Sequence, residues 1–130
     1  MKLRTLGLAS VIAVAFVAPA LAHHSFAMFD ADKTITVTGT VKQVEWTNPH
    51  VWIRVMLPNK ETGKLEQWGF EAGPPAQQIR RGWESDMYKP GDSITLDMHP
   101  LKDGSRGGQL MDAILPDGRK IGGVGAPPIR

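Results

Sequence analysis

The sequence predicts a mainly β fold, namely a small OB-like Greek-key barrel of five to six strands with one short helix between strands 3 and 4. Apolar and polar residues alternate in several short segments, as they do in half-buried strands. Glycines and prolines separate these segments, and a single stretch has helical spacing. This element order is that of a five-stranded OB barrel whose helix closes one end. A plain up-and-down barrel or sandwich is the alternative.

The first strand is predicted to be long and bent. Its alternation begins near Thr34 and shifts by one residue before Val44 and Trp46. An extra residue at Lys42 or Gln43 explains the shift, because a β-bulge inserts one residue and bends the strand that carries it. The turn Thr47-Asn48-Pro49 ends the strand.

The second and third strands are predicted to form a hairpin. Strand two ends at the turn-forming Pro58-Asn59, and its polar face carries Trp52. Strand three spans about Leu65 to Glu71, with Trp68 and Phe70 on the same side. Alternating side chains point to opposite faces of a strand, so each strand has one face for the core.

The helix is predicted over Pro75 to Arg81. Proline suits the first helical turn because its missing N–H has no partner there, and Gly82 suits a left-handed cap at the end. The apolar residues at helical spacing are Ala76, Ile79 and Trp83. After the turn Pro90-Gly91-Asp92, the remaining strands are predicted at 94–99, 109–115 and 119–121.

Residues 1–22 are predicted to be a cleaved secretory signal peptide. Lys2 and Arg4 precede an apolar run from Leu6 to Val17, and Ala20-Leu21-Ala22 is a small-residue cleavage site. The run is too short for a comfortable membrane span. A cut after Ala20 also satisfies the cleavage rule. The signal predicts Sec-type export to the periplasm, or secretion.

The mature chain is predicted to be one domain, 23–121, followed by a flexible tail, 122–130. The sequence has 15 basic and 13 acidic residues, and cleavage removes two of the basic ones, so the mature chain is neutral. A neutral surface argues against nucleic acid as a partner. We also expect no stable membrane insertion after cleavage, and the remaining partners are an envelope protein or a small molecule.

The histidines are the candidate metal ligands, because the chain has no cysteine. They are His23, His24, His50 and His99. After cleavage, the first of them offers its α-amine and its imidazole to one ion as a chelate, which suits Cu(II), and imidazole also suits Zn(II). His50 and His99 lie in or beside loops that flank the usual ligand face of an OB barrel. The competing interpretation is a frayed terminus with ordinary polar histidines.

Two further groups of residues are candidates for a function. The first supports the metal site, and the second forms a separate ligand face. Phe26, Met28 and Phe29 are predicted to dock on the barrel and hold the terminal histidines near its surface. A ligand face is predicted from Trp52, Arg54 and Trp68, which would bind a small molecule, a glycan or a partner protein. Core packing of the tryptophans is the competing interpretation.

No arrangement of catalytic residues is recognisable, so the protein is not expected to be an enzyme. The serines lack a nucleophile-elbow context, and the glycine-rich stretch 103–108 lacks the lysine of a phosphate loop. Beside the two binding hypotheses, an envelope assembly or structural factor remains as a third function.

Several motifs follow one another along the chain. They are His23-His24-Ser25-Phe26-Ala27-Met28-Phe29-Asp30, Gly39-Thr40-Val41, Trp46-Thr47-Asn48-Pro49-His50-Val51-Trp52, Arg80-Arg81-Gly82-Trp83, Pro90-Gly91-Asp92 and His99-Pro100-Leu101-Lys102-Asp103-Gly104. In this order they resemble a family of small exported bacterial proteins known only as a domain of unknown function. The resemblance implies a periplasmic β-rich domain and implies no activity.

Overall fold

The structure is a computed structural model that describes residues 26–122. The predicted signal peptide, the terminal histidines and nearly all of the predicted tail lie outside these residues. The elements are β1 (Ile35–Glu45), β2 (Trp52–Pro58), β3 (Leu65–Glu71), α1 (Pro75–Arg80), β4 (Ser93–Pro100), β5 (Gly107–Ile114) and β6 (Lys120–Gly122).

The first five strands close into a barrel. The strand order is β3-β2-β1-β4-β5-β6, and β3 also pairs with β5. This closing contact is a short parallel ladder between 69–71 and 107–109. The strand β6 is an extra strand on the outer edge of β5. The predicted mainly β barrel, with one short helix between the third and fourth strands, is confirmed.

The long first strand pairs with two neighbouring strands. Its first part, 35–40, pairs with β4, and its second part, 40–45, pairs with β2. The register with β2 passes from Val41 to Gln43 and leaves Lys42 unpaired. The predicted bulge is therefore present, and it bends β1 just after Thr40, the residue at which the strand changes partners.

The core is built from the inner faces of the strands. In the β2–β3 hairpin, Ile53 lies opposite Phe70 and Val55 opposite Trp68, all on the inner side. The fully buried apolar residues include Ile53, Phe70 and Leu96. Alternation along β2 thus assigns its faces as the sequence predicts.

The helix is short and packs differently from the prediction. It ends one residue early, and its buried residue is Gln78, whereas Ile79 is 61% exposed. Gly82 has a φ of 92°, which turns the chain so that Trp83 enters the core. The Trp83 indole N–H donates to the Gly122 carbonyl at 2.9 Å and so joins this turn to β6. With fewer than two helical turns, apolar spacing is a weak guide to the buried face.

Within residues 26–122, no helix is long and apolar enough to span a membrane.

Candidate functional site

His50 is held at the end of the barrel where β2 begins. The next residue, Val51, is buried, and its backbone N–H donates to the Gly73 carbonyl at 3.1 Å. The Val51 carbonyl accepts a hydrogen bond from the Ala72 N–H at 2.8 Å. These two bonds bring the loop before β2 against the chain that follows β3. They place His50 beside Glu71, the last residue of β3.

The His50 and Glu71 side chains form a close pair. The His50 Nδ1 lies 2.7 Å from the Glu71 Oε1, and both side chains are largely shielded from solvent. Burial raises the pKa of the Glu71 carboxyl, and the charge and hydrogen bond of His50 oppose this rise. Because Nδ1 is engaged by the carboxylate, Nε2 is the His50 nitrogen that remains for another partner.

A small cavity of about 90 Å³ adjoins this pair. Its polar lining comes from four side chains, and its remaining walls are apolar or backbone. The lining residues are Phe26, His50, Glu71, Ala72, Gly73, Pro74, Gln77 and Gln109. We call it the histidine cavity. It is too small for a drug-sized molecule and large enough for water or a single ion.

The N-terminal segment 26–30 reaches the histidine cavity along the end of β4. The Asp30 N–H donates to the Pro100 carbonyl at 2.8 Å, and the Lys102 N–H donates to the Met28 carbonyl at 2.9 Å. Phe29 is 4% exposed, whereas Phe26 and Met28 are each about half exposed. The segment therefore lies against the barrel as predicted, with one of its three large apolar side chains buried.

His99 does not meet His50. The register pairs Gln109 with Glu71 on one side and with His99 on the other, so β5 separates the two histidines. The His99 Nδ1 lies 2.7 Å from the Lys33 carbonyl oxygen. Across residues 26–122, no three His, Asp or Glu side chains are grouped so that they could hold a metal ion. Of the predicted ligands, His23 and His24 lie outside the described residues.

The predicted ligand face of Trp52, Arg54 and Trp68 is not one surface. Trp52 and Arg54 lie on the outer face of β2, where the guanidinium carbon of Arg54 is 4.7 Å from the centre of the Trp52 ring. Trp68 lies on the inner face, because the register places it opposite the buried Val55. The Arg54 Nε also bonds the Glu45 Oε1 at 3.0 Å. The Trp52 ring is therefore covered by a paired cation rather than open for stacking.

Two features of the site were not predicted. The sequence indicates Glu71 only as the end of a strand, although it falls on the outer, polar face of β3, where a carboxylate can meet a loop residue. The second feature is a larger cavity of about 460 Å³ at the opposite end of the β2–β3 hairpin. The signal in the sequence is the length of β1. The strand is longer than its pairing with β2, so its first part is left open on the β2 side.

Together, the fold and the site define a small closed β-barrel domain with a histidine–carboxylate pair in a cavity on its outer surface. The chain belongs to a family of unknown function, DUF6152, whose sequence model matches residues 10–111. This confirms the resemblance to a domain of unknown function. No curated protein and no solved structure matches the chain significantly.

Proposed function

We propose that the mature protein is an exported, periplasmic binding domain. It holds one divalent metal ion, preferably Cu(II), between its N-terminal histidines and His50. A single observation carries the proposal. Phe26, three residues after His23, lines the same cavity as His50. Three residues of extended chain span at most about 11 Å. The terminal α-amine is therefore within reach of the His50 imidazole.

The donor set suits copper. After cleavage following Ala22, His23 supplies an α-amine and an imidazole, and these nitrogen ligands favour Cu(II) in tetragonal geometry. His50 supplies a third nitrogen, Nε2. Zn(II) takes the same imidazoles but gains less from the amine chelate, so it is the weaker candidate.

Glu71 supports His50 as a ligand. Histidines that bind metals usually donate their other ring N–H to a carboxylate or carbonyl, which fixes the tautomer and the ring orientation. The contact of 2.7 Å between the His50 Nδ1 and the Glu71 Oε1 has this form. The His99 Nδ1 also has a carbonyl partner, that of Lys33, but His99 does not line the cavity that Phe26 and His50 share. His50 is therefore preferred over His99 as the third imidazole.

Binding is favoured over catalysis by the lining of the histidine cavity. A histidine–carboxylate pair activates a nucleophile in many enzymes. Among the described residues that line this cavity, none carries a hydroxyl or thiol group. The pair would therefore orient a ligand rather than activate a nucleophile.

The proposal is tested by Cu(II) titration calorimetry on the mature protein, recovered from export with His23 as its first residue. We expect one ion per chain. An added N-terminal methionine removes the chelate and should weaken the affinity at least 100-fold, and His50→Ala should weaken it at least tenfold, because each change removes a nitrogen donor. His99→Ala is the matched control and should leave the affinity unchanged.

Electron paramagnetic resonance identifies the donors in the same samples. The Cu(II) spectrum should show nitrogen coupling in the mature protein and a changed donor set in the His50→Ala variant. Equal, weak binding by the mature protein and by the methionine-extended form would overturn the terminal chelate. An unchanged spectrum in His50→Ala would remove His50 from the site.

A further inference from the structure

The second cavity is a groove between β1 and the β2–β3 hairpin, and it is independent of the metal site. The first part of β1, 35–39, pairs with β4 alone, because its pairing with β2 begins only at Thr40. The β2 side of that segment is therefore open. The residues that line the groove are Ile35, Thr36, Val37, Thr38, Leu57, Pro58, Asn59, Lys60, Glu66, Trp68 and Met98. We call it the β1 groove.

The floor of the β1 groove is apolar. Val37, Leu57 and Trp68 belong to the inner faces of their strands, and Met98 lies opposite Ile35 in the β1–β4 ladder. Trp68 remains half-buried and stacks on Phe70 with ring centres 6.5 Å apart. The volume of about 460 Å³ falls in the range of small-molecule sites. An apolar body of one or two rings, or a short alkyl chain, is the shape that this floor accepts.

One wall of the groove offers backbone hydrogen bonds. In an antiparallel ladder, every second residue directs its backbone N–H and C=O to the paired strand. The residues between them direct their N–H and C=O to the opposite side. Along 35–39 that other side is the groove, since no strand pairs there. Unpaired N–H groups in this wall are donors for a polar group on a bound molecule.

The rim of the groove carries one cation without a counter-charge. The Glu66 Oε1 accepts a hydrogen bond from the Asn59 amide at 3.0 Å and lies 3.5 Å from the Arg106 Nη1. Glu66 is thereby neutralised, whereas Lys60 forms no ion pair within residues 26–122. The turn that bears Lys60 is well fixed, because the Asn59 Oδ1 accepts the backbone N–H groups of Glu61 and Thr62. The rim is therefore positive where the floor is apolar.

We propose that the β1 groove binds a small amphipathic anion, with its apolar body on Trp68 and its anionic head beside Lys60 and the free edge of β1. The charge at the rim selects an anion over a neutral molecule of the same shape. The apolar floor selects it over a simple inorganic anion. The groove lies at the end of the β2–β3 hairpin away from His50, so both ligands are held at once.

Two fluorescent probes that differ by one charge test the proposal. 8-Anilino-1-naphthalenesulfonate carries a sulfonate on an anilinonaphthalene body, and 1-N-phenylnaphthylamine is its uncharged counterpart. Both should bind the folded protein at one molecule per chain, with a blue shift of their emission. Decanoate, below its micelle concentration, should displace both probes, whereas sulfate should displace neither.

Two pairs of variants locate the probes. Lys60→Glu should weaken the sulfonate at least about tenfold and leave the neutral probe within a factor of two, because it reverses the one charge without an ion-pair partner among the described residues that line the groove. Lys64→Glu, in the same hairpin turn but outside the groove, should change neither affinity. Val37→Phe fills the floor and should weaken both probes, whereas Thr40→Phe, on the outer face of the same strand, should weaken neither.

Circular dichroism confirms that each variant is folded before titration. Absence of saturable binding by the sulfonate probe would overturn the proposal. An equal loss of both probes in Lys60→Glu would also overturn it, since the groove would then not recognise charge. Retained binding of both probes in a folded Val37→Phe variant would place them elsewhere and overturn it as well.

Discussion

The two ends of the β2–β3 hairpin differ in the way the barrel closes around them. At the end next to His50, the N-terminal segment, the chain after β3 and the start of β5 all converge, and a cavity of only about 90 Å³ remains. At the other end, β1 leaves β2, and a groove of about 460 Å³ stays open. The strand β1 connects the two ends, because it passes from β4 to β2 at Thr40, just before the bulge at Lys42.

This difference determines the chemistry of each end. Where segments converge, polar groups lose much of their contact with water and need partners, so His50 and Glu71 are paired. Where β1 has a neighbouring strand on one side only, inner-face apolar residues such as Trp68 stay partly exposed. The closed end is therefore suited to orienting a small ion, and the open end to accepting an apolar body. The following predictions are arranged to separate the two.

The largest effect should come from Phe29→Ala at the closed end. Phe29 is 4% exposed and anchors the segment 26–30, so its truncation should lower the free energy of unfolding by about 3 kcal/mol. Chemical denaturation measures this loss. Phe26→Ala is the control, because that side chain is 52% exposed and should cost less than about 1 kcal/mol. A similar small loss for both variants would mean that the segment is not anchored by Phe29.

The second effect concerns the pair of His50 and Glu71. Glu71→Ala should lower the free energy of unfolding by about 2 kcal/mol, because it leaves the His50 Nδ1 without its partner in a shielded position. In the metal titration it should also weaken Cu(II) binding roughly 10- to 100-fold. Glu66→Ala, at the rim of the open groove, is the comparison and should cost less than about 1 kcal/mol. Unchanged copper affinity in Glu71→Ala would show that the carboxylate does not orient His50.

The closed barrel could be predicted because its signals are local. Alternation located the strands, the phase shift before Val44 located the bulge at Lys42, and the proline and glycine at 75 and 82 bounded the helix. The helix face was not predicted correctly. Gln78 is buried in place of Ile79, since a six-residue helix is positioned by its flanking turns rather than by its own apolar face.

The sites were less predictable, because they depend on contacts between distant segments. The pairing of His50 with Glu71 depends on how the loop before β2 meets the end of β3. The sequence does not separate Trp68 from Trp52, although one faces inward and the other outward, because aromatic side chains suit both a core and a binding surface. The β1 groove follows from the length of β1 and from its register with β2 and β4, and no residue type marks it.

The third prediction concerns Asp97, which bonds a residue of the open groove, and the loss of stability at low pH. On the outer face of β4, the Asp97 carboxylate accepts hydrogen bonds from the Lys120 Nζ at 2.8 Å and from the Thr36 hydroxyl. Lys120 and then Thr36 hold the pKa of Asp97 below its ordinary value. A depressed pKa stabilises the fold above the unfolded value, near 3.9, and the contribution is lost as pH falls through the folded pKa.

Asp97→Asn should therefore lower stability by on the order of 1 kcal/mol at pH 7. The difference between the wild-type protein and the variant should shrink as the pH falls below about 4. Denaturation at a series of pH values measures it. Asp103→Asn, an exposed carboxylate in the loop before β5, is the matched control and should show a smaller difference at pH 7. A constant difference for Asp97→Asn across this range would contradict the assignment.

The smallest effect should come from the outer face that lies between the two ends. Arg54 covers Trp52 and bonds Glu45, but all three side chains are partly exposed, so Arg54→Met should lower stability by less than about 1 kcal/mol. The methionine side chain keeps contact with the Trp52 ring but carries no charge. Neither copper affinity nor probe binding should change, because Arg54 lines neither the histidine cavity nor the β1 groove. A loss of either activity in this variant would show that the outer face of β2 couples the two ends, and the barrel would then act as one site rather than two.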